Sequence, residues 1–185
     1  MPDGRLLNYV AFLRAINVGG HVVKMDRLKK LFELVGLKNV ATFIASGNVY
    51  FESPATDVVA LERRIERCLR DTLGYDVATF IRSTPELAAI AEHQPWAASE
   101  LDHADATLFI GFLHTAPPKA VRSRVTALTT ADDAFHLRQR ELYWLRRGGF
   151  SDSPFSGAVL EKALGMPTTL RNANTVRRLA AKYGR

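Results

Sequence analysis

Val40-Ala41-Thr42-Phe43-Ile44-Ala45-Ser46-Gly47-Asn48-Val49-Tyr50-Phe51-Glu52 is the stretch on which the fold turns. Two strand-like runs, Val40 to Ala45 and Val49 to Glu52, flank Gly47-Asn48, a pair that tolerates the φ values of a tight hairpin. Upstream, Leu7 to Leu13 is nearly continuous apolar sequence with aromatic Tyr9 and Phe12, which predicts a strand covered on both faces. From Asp26, Leu28, Leu31, Phe32 and Val35 recur at helical spacing, and Gly36 supplies a left-handed stop. Downstream, Thr56 or Asp57 caps a second helix, whose Val58, Leu61, Ile65, Leu69 and Leu73 form one apolar stripe ending at Gly74. Val77 to Arg82 reads as a strand. Residues 7 to 82 therefore spell β-α-β-β-α-β, the order of the ferredoxin-like split βαβ fold.

Ser83-Thr84-Pro85-Glu86 is a capped helix start, and Gln94-Pro95 ends that helix. Beyond a polar stretch from Ala98 to Asp105, Thr107 to Leu113 is a buried-strand run. Pro117 to Leu128 follows as a helix, Ala134 to Leu145 as a hairpin turning near Arg140, and Gly157 to Leu164 as a helix stopped by Gly165. After Thr168 to Leu170, a short extended piece, Asn172 or Asn174 can cap a last helix. Its Val176, Leu179, Ala180 and Tyr183 lie on one side and Arg177, Arg178 and Lys182 on the other. The expected class is α+β: two ferredoxin-like subdomains of mainly antiparallel sheet with helices packed on it. The first covers residues 1–83 and the second, β-α-β-β-α with a basic last helix, 106–185, joined by a connector helix and loop over 84–105. The pattern leaves open whether they share one sheet.

A chain of 185 residues with 47% hydrophobic content can bury a sizeable core. Its longest apolar runs fall far short of the roughly 20 residues of a membrane helix, so no membrane partner is expected. Met1-Pro2-Asp3-Gly4-Arg5 does not read as a secretion signal. A single cysteine permits no internal disulfide, and the expected location is the cytoplasm. The net charge of +6 is unevenly placed. Residues 1–134 carry 15 Lys and Arg against 16 Asp and Glu, whereas residues 135–185 carry 10 against 3. This asymmetry points either to an anionic partner or to a solubilising face.

Chemistry is suggested by three polar turns, none of them a known catalytic signature. Gly19-Gly20 permits close backbone approach, so its amides can form an anion nest with Arg14 and Lys24 nearby; plain chain reversal explains the glycines as well. Asn17 either bonds its own turn or faces a ligand. Ser46-Gly47-Asn48 is accounted for by hairpin geometry, and Ser46 has no sequence-adjacent base to make it a nucleophile. In Arg171-Asn172-Ala173-Asn174, one Asn suffices as a cap, leaving the other and the Arg171 fork for a carboxylate, phosphate or nucleobase, unless Arg171 pins backbone carbonyls. The five histidines show no metal-ligand spacing, and Cys68 falls on the buried helix stripe, so no metal and no cofactor are expected. On the third strand, Tyr50 is one aromatic where an RNA-recognition sheet carries several.

At these same turns the chain resembles a bacterial family known as domain of unknown function 1697. The matching segments are Tyr9 to Gly20, Lys24-Met25 with Leu28, Thr42 to Phe51, Leu160-Glu161-Lys162, Thr169, and Arg171 to Val176. Ala15 stands where the family pattern has Gly, and Ala173 where an aromatic often separates the two asparagines. The resemblance implies the fold and a candidate surface and assigns no activity. Among the residues, the leading expectation is recognition of a phosphate-bearing partner, nucleic acid or a phosphorylated small molecule. Arg171, Arg177 and Arg178 would contact phosphate, Gly19 and Gly20 form the nest, and Asn17, Asn48, Asn172 and Asn174 orient the ligand or cap its loop. The alternatives are an enzyme acting on a small anionic substrate in a pocket made by the turns, and a scaffold that self-associates as a homodimer.

Overall fold

The computed structural model describes residues 5–44 and 47–184. Six elements form the first β-α-β-β-α-β series: β1 (Leu7–Leu13), α1 (Met25–Leu34), β2 (Lys38–Phe43), β3 (Asn48–Ser53), α2 (Val58–Leu73) and β4 (Thr79–Ser83). Helices α3 (Thr84–Glu92) and α4 (Ala98–Leu101) follow. The second series is β5 (Ala106–Phe112), α5 (Lys119–Thr126), β6 (Asp133–Arg138), β7 (Glu141–Arg147), α6 (Gly157–Leu164) and β8 (Thr169–Asn172), after which α7 (Ala173–Tyr183) closes the chain. The fold is α+β. Its strands form two separate antiparallel four-stranded sheets, ordered β2-β3-β1-β4 and β6-β7-β5-β8, rather than one shared sheet. Each half supplies its own fourth strand, which takes the free side of the central strand. Two compact units result, Met1–Ala88 with Leu179–Arg185 and Ala89–Arg178, called unit 1 and unit 2 below.

Local chemistry sets the element boundaries. The Asp57 carboxylate accepts from the Ala60 amide at 2.9 Å to start α2, and Gly74 ends it at φ +82°. Ser156 and Gly165 do the same for α6. Alternation along the strands sends one face of each sheet to its helices. In unit 1, Tyr9, Ala11, Leu13, Val49, Phe51 and Ile81 pack with Leu28, Leu31 and Phe32 of α1 and Leu61, Ile65 and Leu69 of α2. In unit 2, Phe135, Leu137, Leu142 and Trp144 pack with Val125 of α5 and Leu160 and Leu164 of α6. Each fully buried Val, Leu, Ile or Phe among these contributes about 1.5–3 kcal/mol. Cys68, expected in the core, is half-buried, with its thiol 3.7 Å from the Leu31 carbonyl. Among the described residues, no helix is long and apolar enough to cross a membrane.

Unit 2 also encloses an ionic knot. Asp133, 1% exposed, accepts from Trp144 Nε1 at 2.8 Å and Ser153 Oγ at 3.1 Å, and its other oxygen pairs with Arg146 Nη1 at 2.8 Å. Arg146 also donates to the Gly149 carbonyl, so one carboxylate ties β6, β7 and the loop beyond β7 together. Asp133→Ala strands the Arg146 charge indoors and is expected to cost about 3–5 kcal/mol in urea unfolding, whereas Glu33→Ala, which breaks an exposed pair with Lys29, should cost under about 1 kcal/mol.

Candidate functional site

The first two polar turns meet in unit 1. Beyond β1, the Asn17 side chain accepts from the Val23 amide at 2.7 Å, closing its own loop. Tyr75 donates its hydroxyl proton to the Ile16 carbonyl at 2.9 Å, and its ring carries the His21 imidazole 3.9 Å away. The loop is thus pinned at several points while Gly19 and Gly20, at φ +68° and +85°, stay exposed at its tip. Arg14 and Lys24 are exposed on either side in sequence, and Lys24 stands at the start of α1 without a side-chain cap bond.

The second turn is locked against the first. Gly47 takes φ +73°, its carbonyl accepts from the Leu13 amide at 2.8 Å, and a Cβ there would lie 2.8 Å from Ile16 Cγ2. Asn48 is fully enclosed and donates from Nδ2 to the Phe43 carbonyl at 3.1 Å, so its amide closes the hairpin. Ser46 lies outside the described residues. Tyr50 does face away from the α1/α2 core, but the Tyr183 ring of α7 stacks on it at 4.2 Å and 8°, and Lys182 Nζ sits over Tyr183. Burial, helped by the Glu52 carboxylate that accepts its hydroxyl proton at 3.0 Å, pushes the Tyr50 phenol up to about 12. The ring face is therefore occupied from within the chain.

The third turn belongs to unit 2. Arg171 is half-buried on β8, and its Nη1 donates to Thr169 Oγ1 at 2.8 Å and the Leu170 carbonyl at 2.9 Å. Burial pulls its guanidinium down to about 10, which leaves it charged at neutral pH. Asn172 is the cap of α7, accepting from the Asn174 amide at 2.9 Å. Asn174 in turn accepts from Arg177 Nη1 at 3.0 Å. Arg178 is exposed one position further on. Asn172, Asn174 and Arg177 open onto a cleft of about 290 Å³, whose further polar lining is Gln94, Asp102 and Thr107, with α4 and the start of β5 completing the wall.

The cleft gathers three of the nominated residues, Asn172, Asn174 and Arg177. It does not include Arg171, and Arg14, Asn17, Gly19, Gly20, Lys24 and Asn48 belong to the other unit. Gln94 and Asp102 were missed because the connector carries no motif, and Thr107 because it is a single polar residue at the start of a buried-strand run. Part of the basic excess is consumed internally, by the Arg146 pair, by Arg147 with Glu100 at 3.3 Å, and by Arg171. Among the described residues, no group of three or more His, Cys, Asp or Glu is placed to hold a metal.

Residues 6–143 match the family model described as "Protein of unknown function (DUF1697)", a match that ends before β8 and α7. Among solved structures, the conserved bacterial protein SP0830 from Streptococcus pneumoniae shares the fold with a TM-score of 0.76 at 22% identity, over 96% of this chain and 98% of that one. No curated protein matches the chain.

Two stability outcomes follow from these turns. Gly47→Ala meets both a left-handed φ and the Ile16 methyl, and is expected to destabilise by about 1–3 kcal/mol in chemical denaturation. Asn172→Ala removes the α7 cap and should cost about 1 kcal/mol in the same assay.

Proposed function

The chain belongs to the DUF1697 family of proteins of unknown function, and from that premise we propose that it binds a phosphate-bearing ligand, a nucleotide free or at the end of a nucleic-acid strand, in the cleft of unit 2. The observation that carries this reading is the convergence of Asn172, Asn174 and Arg177 on one concavity at the first turn of an 11-residue helix. The helix start presents backbone N–H groups and the positive end of the peptide dipoles. Arg177 adds a full charge, and its bond to Asn174 holds it there before a ligand arrives. The strand order in both sheets supports reading each unit as a ferredoxin-like half.

Cleft size and charge narrow the ligand. About 290 Å³ is at the lower end of small-molecule sites and suits one nucleotide rather than a duplex. Asp102 in the wall repels a bare phosphate dianion but accepts from the amino or imino groups of a base, with Gln94 and Thr107 as further partners. Phosphate at Arg177 and a base toward Asp102 satisfies both signs of charge.

Calorimetric titration with AMP, inorganic phosphate and a short 5′-phosphorylated oligonucleotide tests this. AMP and the oligonucleotide should bind, with inorganic phosphate at least about tenfold weaker. Arg177→Ala should weaken AMP by about 1.5–3 kcal/mol and reduce the salt slope for the oligonucleotide by about 1. Absence of binding by all three, or AMP affinity unmoved by Arg177→Ala, overturns the reading.

A further inference from the structure

Within unit 2, residues 93–98 run from the end of α3 to α4 and lend Gln94 and Ala98 to the cleft wall. His93 and Trp96 of this short segment are seated on rings of the β6–β7 hairpin. The His93 imidazole lies 5.5 Å from that of His136 and meets Tyr143 edge-on at 5.0 Å; Trp96 meets His136 edge-on at 6.3 Å. His136 and Tyr143 are cross-strand partners, and the Tyr143 hydroxyl donates to the Ile90 carbonyl at 3.3 Å just before the segment begins. Among the described residues, His93 Nε2 is buried without a hydrogen-bond partner.

The charges around the two imidazoles are mostly cationic. Arg138 stands two residues along β6 from His136, and Arg122 of α5 donates to the Leu137 and Gln139 carbonyls that flank it. Glu141, cross-strand from Arg138, and the exposed Glu92 beside His93 are the acidic groups in the vicinity. Burial, then Arg138, then His136 lower the His93 pKa; burial, then Arg122 and Arg138, lower that of His136.

We infer that His93 and His136 form a proton-operated latch: with both rings neutral, residues 93–98 sit on the hairpin and the cleft wall is in place, and protonation of either ring releases the segment. The effect on ligand rests on the cleft reading above; the latch itself does not. A charged imidazole at His93 would carry a second N–H into a place with no acceptor and would face Arg138, whereas in the released segment it reaches water. The sign is fixed by linkage. Because both rings bind protons less readily when seated, the seated form is fully favoured above the ordinary histidine value of about 6.5 and loses ground as pH falls through it.

Amide hydrogen exchange of residues 93–98 without ligand, corrected for intrinsic rates, at about pH 7.5 and about pH 5.5 is the test. Protection should fall several-fold on acidification in the wild type and by clearly less in His136→Phe, where His93 is the one ring of the pair left to titrate. His136→Gln, uncharged and polar, is the second variant should the first not fold. Equal wild-type protection at both pH values, or the same acid loss in the variants, overturns the latch. AMP affinity should also fall further on acidification in the wild type than in His136→Phe, a comparison that cancels the titration of the AMP phosphate. If exchange follows the latch while AMP binds at neither pH, the latch stands and the nucleotide reading alone is lost.

Discussion

The antiparallel pairing of β8 with β5 is the constraint on which the cleft depends. Phe112↔Thr169 through Phe109↔Asn172 fix β8 along the free side of β5, and α7 starts at the next residue with no loop between. The first turn of α7 is therefore delivered to the start of β5, where Ala106, Thr107 and Leu108 form one wall of the cavity. Gly111 shows how close the packing is: a Cβ there would lie 2.9 Å from Thr168 Oγ1 and 3.1 Å from Leu170 Cδ2. A side chain at that one position would have to displace the Thr168 hydroxyl and the Leu170 side chain, both packed where β8 meets the sheet.

Charge in the last third of the chain serves two ends. Arg146 neutralises a buried carboxylate, Arg147 reaches Glu100, and Arg171 satisfies a carbonyl and a hydroxyl on its own strand. A guanidinium presents five donors in a rigid fork, so it can bind carbonyls as readily as phosphate, and composition alone does not separate the two uses. What separates them is position: Arg177 is exposed and borders a concavity, and its guanidinium donates to Asn174, another lining residue. The same economy appears in unit 1, where Asn17 and Asn48, polar residues that could have faced a ligand, accept or donate within their own loops.

Much of the fold was legible because its signals are local. Asp57 and Ser156 cap helices, Gly36, Gly74 and Gly165 stop them, and period-2 and period-3.6 apolar patterns separate strand from helix within a few residues. The polar lining of the cleft was legible only where it is also local, at Asn172, Asn174 and Arg177. The contact of Gly47 with Ile16, the enclosure of Asn48 and the half-burial of Arg171 depend on partners far along the chain, which no window of sequence contains. Gln94, Asp102 and Thr107 share the difficulty: each is an ordinary polar residue until α4 and β5 are placed beside α7.

The loopless junction between Asn172 and Ala173 acts as a phase lock. An α-helix turns about 100° per residue, so the length of the link between strand and helix decides which face of α7 looks into the cavity. One residue added there, with the strand pairing kept, would carry Arg177 about a quarter-turn around the helix axis and take Asn174 with it. The lining of the cleft is therefore encoded partly in a count. The strand must end and the helix begin on consecutive residues, whatever the identity of the side chains that follow.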